Sequence, residues 1–186
     1  AVCKVVALIN LWSLLPTALW RAWREETEGC RAFLPGITYL EPEYAFGNSR
    51  IDLYAGAGER KILIEVKGVT LEEDGVVRFP DAPSERAVKH MEELSAAVKE
   101  GWEAVVFFVV QMEGVDFFTP NMDTHPAFGE ALTKAAAAGV RVTAWDCHVG
   151  QASIPIRREV PVVLGERILY ESRTPMGDRH RRTLRA

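Results

Sequence analysis

The sequence is short of several things, and each shortage removes a class of function. Cysteine occurs three times, at Cys3, Cys30 and Cys147. The count is odd, the spacings are long and no CxxC occurs, so neither a disulfide framework nor a zinc knuckle is expected, and a reducing compartment is. There is no excess of positive charge: the 186 residues carry a formal net charge of -4. A protein that coats DNA by uniform basicity is excluded. No run of residues has the length and purity of a membrane span. The apolar start, Val2 to Leu19, is broken by Lys4, Asn10, Ser13 and Pro16 and runs into Arg21 without a small-x-small cleavage site. It therefore does not read as a secretory signal, and a cytoplasmic protein without membrane association is expected. Nothing in the sequence indicates an oligomeric state.

What is present suits a compact α/β domain. Hydrophobic residues make up 48% and charged residues 26%, enough for a real core and too apolar for bulk disorder. Positive charge gathers at the end, where Asp178 to Ala186 holds four arginines and one histidine against a single acid. Such a tail can touch phosphates or simply be solvated.

Along the chain, Val5 to Ile9 has strand character, and residues 14–28 read as a helix with Pro16 in its first turn and Gly29 as its stop. Trp20 and Trp23 fit that helix's packed face better than a base-stacking platform. Ile37 to Tyr44 is a strand interrupted by Pro42, which suits an edge or a bent strand. Arg50 to Tyr54 and Lys61 to Val66 alternate as strands, with Ala55 to Gly58 as the hairpin linker. Val76 to Phe79 is a further short strand. Ser84 caps a helix that runs to about Glu100, with Val88, Met91, Leu94 and Val98 as its apolar stripe and Gly101 as its stop. Ala104 to Val110 is a continuous apolar run of central-strand type. A helix over Pro126 to Ala138 ends at Gly139, and Val140 to Trp145 is another strand. Strand–helix–strand–helix–strand in this order implies parallel pairing.

The chemistry concentrates on two neighbouring strands. In Lys61 to Lys67, period two sends Ile62, Ile64 and Val66 to one face and Leu63, Glu65 and Lys67 to the other. Arg50 and Asp52 share a face of the preceding strand. A hairpin linker with an even number of residues sets Asp52 across from Glu65 or one diagonal step away. Two acids facing each other on a sheet repel, unless a cation sits between them. A hard divalent cation, Mg²⁺ or Mn²⁺, takes such oxygens and keeps water in its other positions. Asp52 and Glu65 would hold it, with the Val66 carbonyl as a third ligand. It would polarise a phosphodiester and acidify a bound water, and Lys67 would orient that water and offset the developing charge. That set describes a metal-dependent nuclease. Glu-x-Lys alone is a weak signal, and the same residues also spell surface ion pairs, Arg50 with Glu65 and Asp52 with Lys67.

Other residues stand nearby. Pro80-Asp81 spells the first letters of a nuclease signature, but Asp81 follows the Glu-x-Lys strand and precedes a helix, so turn chemistry explains it. Arg86, Lys89 and His90 share a helix face and could meet a phosphate backbone, or be a solvated face paired with Glu85, Glu92 and Glu93. Gln111 closes the apolar strand at the end where open α/β sheets place ligands. Asp123 and His125 read as turn and helix-entry residues.

Taken together, these segments resemble the sugar fermentation stimulation protein (SfsA) family. The resemblance runs through Glu43 to Gly47, Ser49 to Leu53, Glu65 to Leu71, Phe79 to Ala82, Ser84 to Arg86 with Lys89-His90, and Phe107 to Gln111. Asp123 with Phe128, and Gly139 to Val142, continue it, so that it covers residues from about 5 to 165. It implies a restriction-endonuclease-like (PD-(D/E)xK) fold, a mixed sheet flanked by helices over 13–165. Ahead of this it implies an OB-type barrel, of which 1–12 is a remnant, and after it a C-terminal extension with a basic tail over 166–186. It implies nucleic acid as the partner, DNA and possibly RNA, and makes Asp52, Glu65 and Lys67 the metal and catalytic residues. Glu43, Arg86, Lys89 and Gln111 become accessory residues, beside Arg50. The family is also described as regulating sugar (maltose) metabolism genes, which leaves a non-catalytic DNA-binding regulator as the alternative. The sequence departs from the family pattern at Asn10 to Thr17 and at Met112, where a basic residue is usual.

Overall fold

The computed structural model describes residues 4–5, 36–147 and 154–169. Twelve strands and two helices are found among them. The larger sheet is built from β1 (Lys4–Val5), β2 (Tyr39–Phe46), β3 (Ser49–Ala57), β4 (Arg60–Val69), β7 (Glu103–Val110), β9 (Arg141–Cys147) and β10 (Ile154–Val160), in the order β1-β10-β9-β7-β4-β3-β2. A second sheet has the order β12-β11-β8-β6-β5, from β5 (Leu71–Glu73), β6 (Val76–Phe79), β8 (Phe117–Pro120), β11 (Val162–Leu164) and β12 (Arg167–Leu169). The helices are α1 (Glu85–Lys99) and α2 (Pro126–Ala138). The fold is thus mixed α/β, as expected. No helix among the described residues is long and apolar enough to cross a membrane.

The order β4–α1–β7–α2–β9 generates the parallel centre. β4 pairs in parallel with β7, and β7 with β9. All residues of β7 after Glu103 are buried, which explains its unbroken apolar sequence. β2 forms the edge, where Pro42 is tolerated because one side of the strand needs no ladder bond.

The β3–β4 hairpin differs from its expected form. Ala55, Gly56 and Ala57 are buried strand residues, and the turn is the pair Gly58-Glu59. Small residues here serve close packing, with the Gly56 backbone directly beneath Tyr39. Gly58 supplies the positive φ, 65°, that a tight two-residue turn needs. The register is therefore even, with Leu53 opposite Ile64 and Tyr54 opposite Leu63.

Helix α1 begins as expected, with Ser84 Oγ accepting the Ala87 N–H at 3.2 Å. Its buried face, however, is Ala87, His90, Met91, Leu94 and Ala97, while Val88 and Val98 are only partly buried. The stripe keeps Met91 and Leu94 and shifts by one position at its ends, to Ala87 and Ala97.

Two buried clusters flank the larger sheet. One joins Leu63, Val106 and Phe108 to α1, α2 and the smaller sheet. The other contains Ile62, Ile64, Val66, Val105 and Phe107. Alternation along β4 therefore sends Glu65 toward the face that α1 covers. Lys4–Val5 pairs with β10 at the edge of the larger sheet. The rest of the expected barrel segment, the helix over 14–28 with Trp20 and Trp23, and the basic tail lie outside the described residues.

Candidate metal centre

Asp52 and Glu65 follow directly from the hairpin register. The last paired residues are Leu53 and Ile64, and continuing by one step brings Asp52 and Glu65 to face each other. Asp52 Oδ2 accepts the backbone N–H of Val66 at 2.8 Å. This bond locks the side chain across the hairpin. Val66 itself is buried, 7% exposed.

Glu65 is 1% exposed, so the surface ion-pair reading of this strand fails on burial alone. Two donors meet its Oε1: Lys67 Nζ at 2.6 Å and His90 Nδ1. Burial alone would raise this carboxyl, but the donors His90 and Lys67 outweigh it and hold it below its ordinary range. Glu65 Oε2 is buried and has no hydrogen-bond partner. Buried polar atoms are normally satisfied, so an orphaned carboxylate oxygen asks for a ligand. Asp52 shows the complementary sign. Burial first, then the charge of Glu65, push it up to about 6, against the Val66 N–H and the charges of Lys67 and His90. One acid is held ionised and the other is held poised.

Such a donor set suits a hard divalent cation. Two carboxylates and a backbone carbonyl supply oxygen only, with water left to fill the remaining positions. Among the described residues no group of three or more His, Cys, Asp or Glu side chains could hold a metal ion. Glu43 therefore does not complete a carboxylate triad. It is exposed, and by the β2–β3 register it falls opposite Asp52, at the one step between Pro42–Leu53 and Tyr44–Ile51 where no pair forms. Its φ of 55° lies in the left-handed region, a strained state for a glutamate.

The expected cationic residues are distributed differently from their sequence reading. Lys67 is partly buried, 15% exposed, and bonded to Glu65 rather than to Asp52. Arg50 is exposed on β3 opposite Ala45. Lys89 is exposed, and its Nζ donates to the Asn48 carbonyl at 3.1 Å and lies 3.7 Å from Glu93. Arg86 is exposed with Nε 3.4 Å from His90 Nε2. A groove of about 600 Å³ runs between α1 and the start of β3, lined by Ser49, Arg50, Glu85, Arg86, Val88, Lys89, His90 and Glu92. Gln111 stands half-buried at the C-terminal end of β7, its backbone N–H donating to the Val69 carbonyl at 3.0 Å.

His90 is the site residue that its sequence position concealed. Its ring is 2% exposed and reaches Glu65 from α1, not a solvent-facing phosphate. The signal was available: Ala87, His90, Met91 and Leu94 form an i, i+3, i+4, i+7 stripe, and a histidine within it must be buried and partnered. Asp81 is exposed ahead of α1, in keeping with turn chemistry. His125 caps α2 by position, and its Nδ1 accepts the Ser84 N–H at 3.0 Å, tying the starts of both helices together.

Residues 15–153 match the family described as sugar fermentation stimulation protein RE domain. A sugar fermentation stimulation protein homolog of Desulfitobacterium hafniense (strain DSM 10664 / DCB-2) is 48% identical over 159 residues, covering 86% of this chain and 68% of the relative. Another, of Clostridium beijerinckii, is 50% identical over 131 residues, covering 70% of this chain and 58% of the relative. The solved structure of Pyrococcus furiosus SfsA in complex with Ca²⁺ superposes with a TM-score of 0.69 at 28% identity, over 79% of this chain and 64% of that one. The chain thus spans between 58% and 68% of the length of these relatives. On sequence, coverage and fold together, the chain belongs to the sugar fermentation stimulation protein family.

Proposed function

We propose that Asp52, Glu65 and Lys67 form the site of a metal-dependent nuclease acting on nucleic acid phosphodiesters. The observation that carries this reading is the buried Glu65 carboxylate with its unpartnered Oε2, beside an aspartate pushed up to about 6. An arrangement that served stability alone would not bury one acid beside another and leave an oxygen unsatisfied.

Asp52, Glu65 and the Val66 carbonyl would hold the cation. When bound, Mg²⁺ or Mn²⁺ supplies Lewis acidity toward a phosphodiester. The calcium complex of the Pyrococcus furiosus relative supports a divalent cation in this family. Lys67 has three N–H donors, of which Glu65 takes one. The others can orient a water and offset charge on a pentavalent phosphorus. Arg50 and Lys89, on the groove beside α1, supply contacts to flanking phosphates. Gln111, at the C-terminal end of β7, and Glu43, on β2, stand as accessory residues.

The test is degradation of labelled single- and double-stranded DNA and RNA with Mg²⁺, Mn²⁺ or chelator. Cleavage is expected with metal only, reduced about a hundredfold or more in Glu65→Ala and Lys67→Ala. No cleavage of any substrate by the wild-type chain, with either metal, would overturn the nuclease reading. A non-catalytic DNA-binding regulator of sugar (maltose) metabolism genes is the second reading. It is favoured by one observation: Lys67 and His90 both partner Glu65, so that side chains of the protein itself balance its charge. Binding without cleavage in the same assay would select it.

A further inference from the structure

The Glu65 carboxylate is held asymmetrically. Oε1 receives Lys67 Nζ and His90 Nδ1, while buried Oε2 receives nothing. The terminal torsion of a glutamate is broad and two-fold, so an unheld carboxylate would exchange its two oxygens. Two donors on one oxygen fix its plane and leave the other oxygen as the ligand.

His90 can take part only with its proton on Nδ1. An imidazole with one proton has one donor and one acceptor nitrogen, and the partner of the second nitrogen decides which is which. Here that partner is Arg86, one helical turn earlier, with its Nε 3.4 Å from His90 Nε2. A guanidinium has donors and no acceptor. Nε2 must therefore present its lone pair, and the proton sits on Nδ1, facing Glu65. The Arg86 contact is long, but it has only to separate two tautomers of one ring.

We infer that Arg86 and His90 are positioning residues: Arg86 fixes the tautomer of His90, and His90 in that tautomer fixes the Glu65 carboxylate with Oε2 free for a divalent cation. This rests on the metal-site reading above. It gives Arg86 a task that needs no nucleic acid, in place of the phosphate contact expected from sequence. Metal-binding groups elsewhere are tuned in this way by the partner of a ligand, and loss of that partner weakens binding about 10- to 100-fold.

Two measurements on the full chain decide it. The first is the imidazole nitrogen–proton correlation spectrum of the metal-free wild type, with the His90 signals assigned by their loss in His90→Asn. An Nδ1-protonated His90 is expected, passing to a mixture or to the Nε2-protonated form in Arg86→Ala. An Nε2-protonated ring in the wild type would overturn the inference whatever the metal does. The second is calorimetric titration with Mn²⁺ alone, without nucleic acid. His90→Ala should bind about tenfold or more weakly, and Arg86→Ala should weaken in the same direction by a smaller factor. His90→Asn, whose amide N–H stands in for Nδ1–H, should recover most of the affinity. Wild-type Mn²⁺ affinity in both alanine variants would overturn the inference. Failure of the wild type to bind Mn²⁺ would instead overturn the metal-site reading, with the spectrum still deciding the tautomer.

Discussion

The charge of Asp52 is set by its burial and by the groups beside it. Its carboxyl rises from an ordinary 3.8 to about 6, first through burial and then through Glu65. The folded state therefore holds this proton more tightly than the unfolded chain does. The stability contributed by that proton is fully present below about pH 4 and is lost as pH rises through about 6. Glu65 has the opposite sign: held low, it contributes stability above the ordinary carboxylate range, which is lost as pH falls through its folded value. In chelator at pH 8, Asp52→Asn should be more stable than wild type by on the order of 1–2 kcal/mol, allowing for partial solvent screening. The difference should vanish near pH 4, and urea titration at the two pH values measures it. With saturating Mn²⁺ the order should reverse, since only wild type keeps both carboxylates to bind it. A variant less stable than wild type at pH 8 in chelator would show that the Asp52 charge is not penalised. The two acids were legible in sequence because alternation along one strand and hairpin parity are short-range rules. The partners of Glu65 were not, because His90 arrives from a helix 25 positions away.

At the level of elements, the site depends on how α1 is seated over β4. Ser84 caps the helix, and the Ser84 N–H is itself held by His125 at the start of α2. Ser84→Ala should cost about 1 kcal/mol in urea unfolding. Because α1 delivers His90 to Glu65, the same variant should also weaken Mn²⁺ binding. Unchanged affinity would mean that packing through Met91 and Leu94 seats the helix without its cap. The sequence revealed both helices, the edge position of β2 and the parallel trio, since those signals are long and periodic. It misassigned Ala55 to Ala57 as linker, because small residues suit turns and close strand packing equally. It missed β5, β8, β11 and β12, of three or four residues, which are too short to display a period, and β10, whose run Ile154–Val160 is interrupted by Pro155 and by Arg157, Arg158 and Glu159. In the β5–β6 hairpin the turn residues Asp74 and Gly75 both have positive φ, 51° and 83°. The positive φ favours glycine at Gly75, and a β-carbon there would fall 2.5 Å from Asp116 Oδ2, so that the Asp116 carboxylate would have to shift.

For the whole molecule, the formal net charge of -4 means that any hold on nucleic acid is local and strongly dependent on salt. Lys89→Ala and Arg50→Ala test this at the groove. For each phosphate contact removed, the slope of log affinity against log salt should flatten by about 0.9 on duplex DNA. An unchanged slope for Lys89→Ala would assign that side chain to its Asn48 carbonyl and Glu93 alone. The basic tail was legible as composition only, and its residues lie outside those described. The smaller sheet has a consequence for how the chain reaches this architecture. Its strands are supplied in three separate pieces: β5 and β6 between β4 and α1, β8 between β7 and α2, and β11 and β12 after β10. The pieces meet through the parallel pairing of β6 with β8, from Val76–Phe117 to Phe79–Pro120, and of β8 with β11 at Phe118–Val162. Closing such long loops is entropically expensive until something else has brought their ends together. The central crossovers do that, so the smaller sheet is an offspring of the larger one, and no cut along the chain can free it as an independent unit.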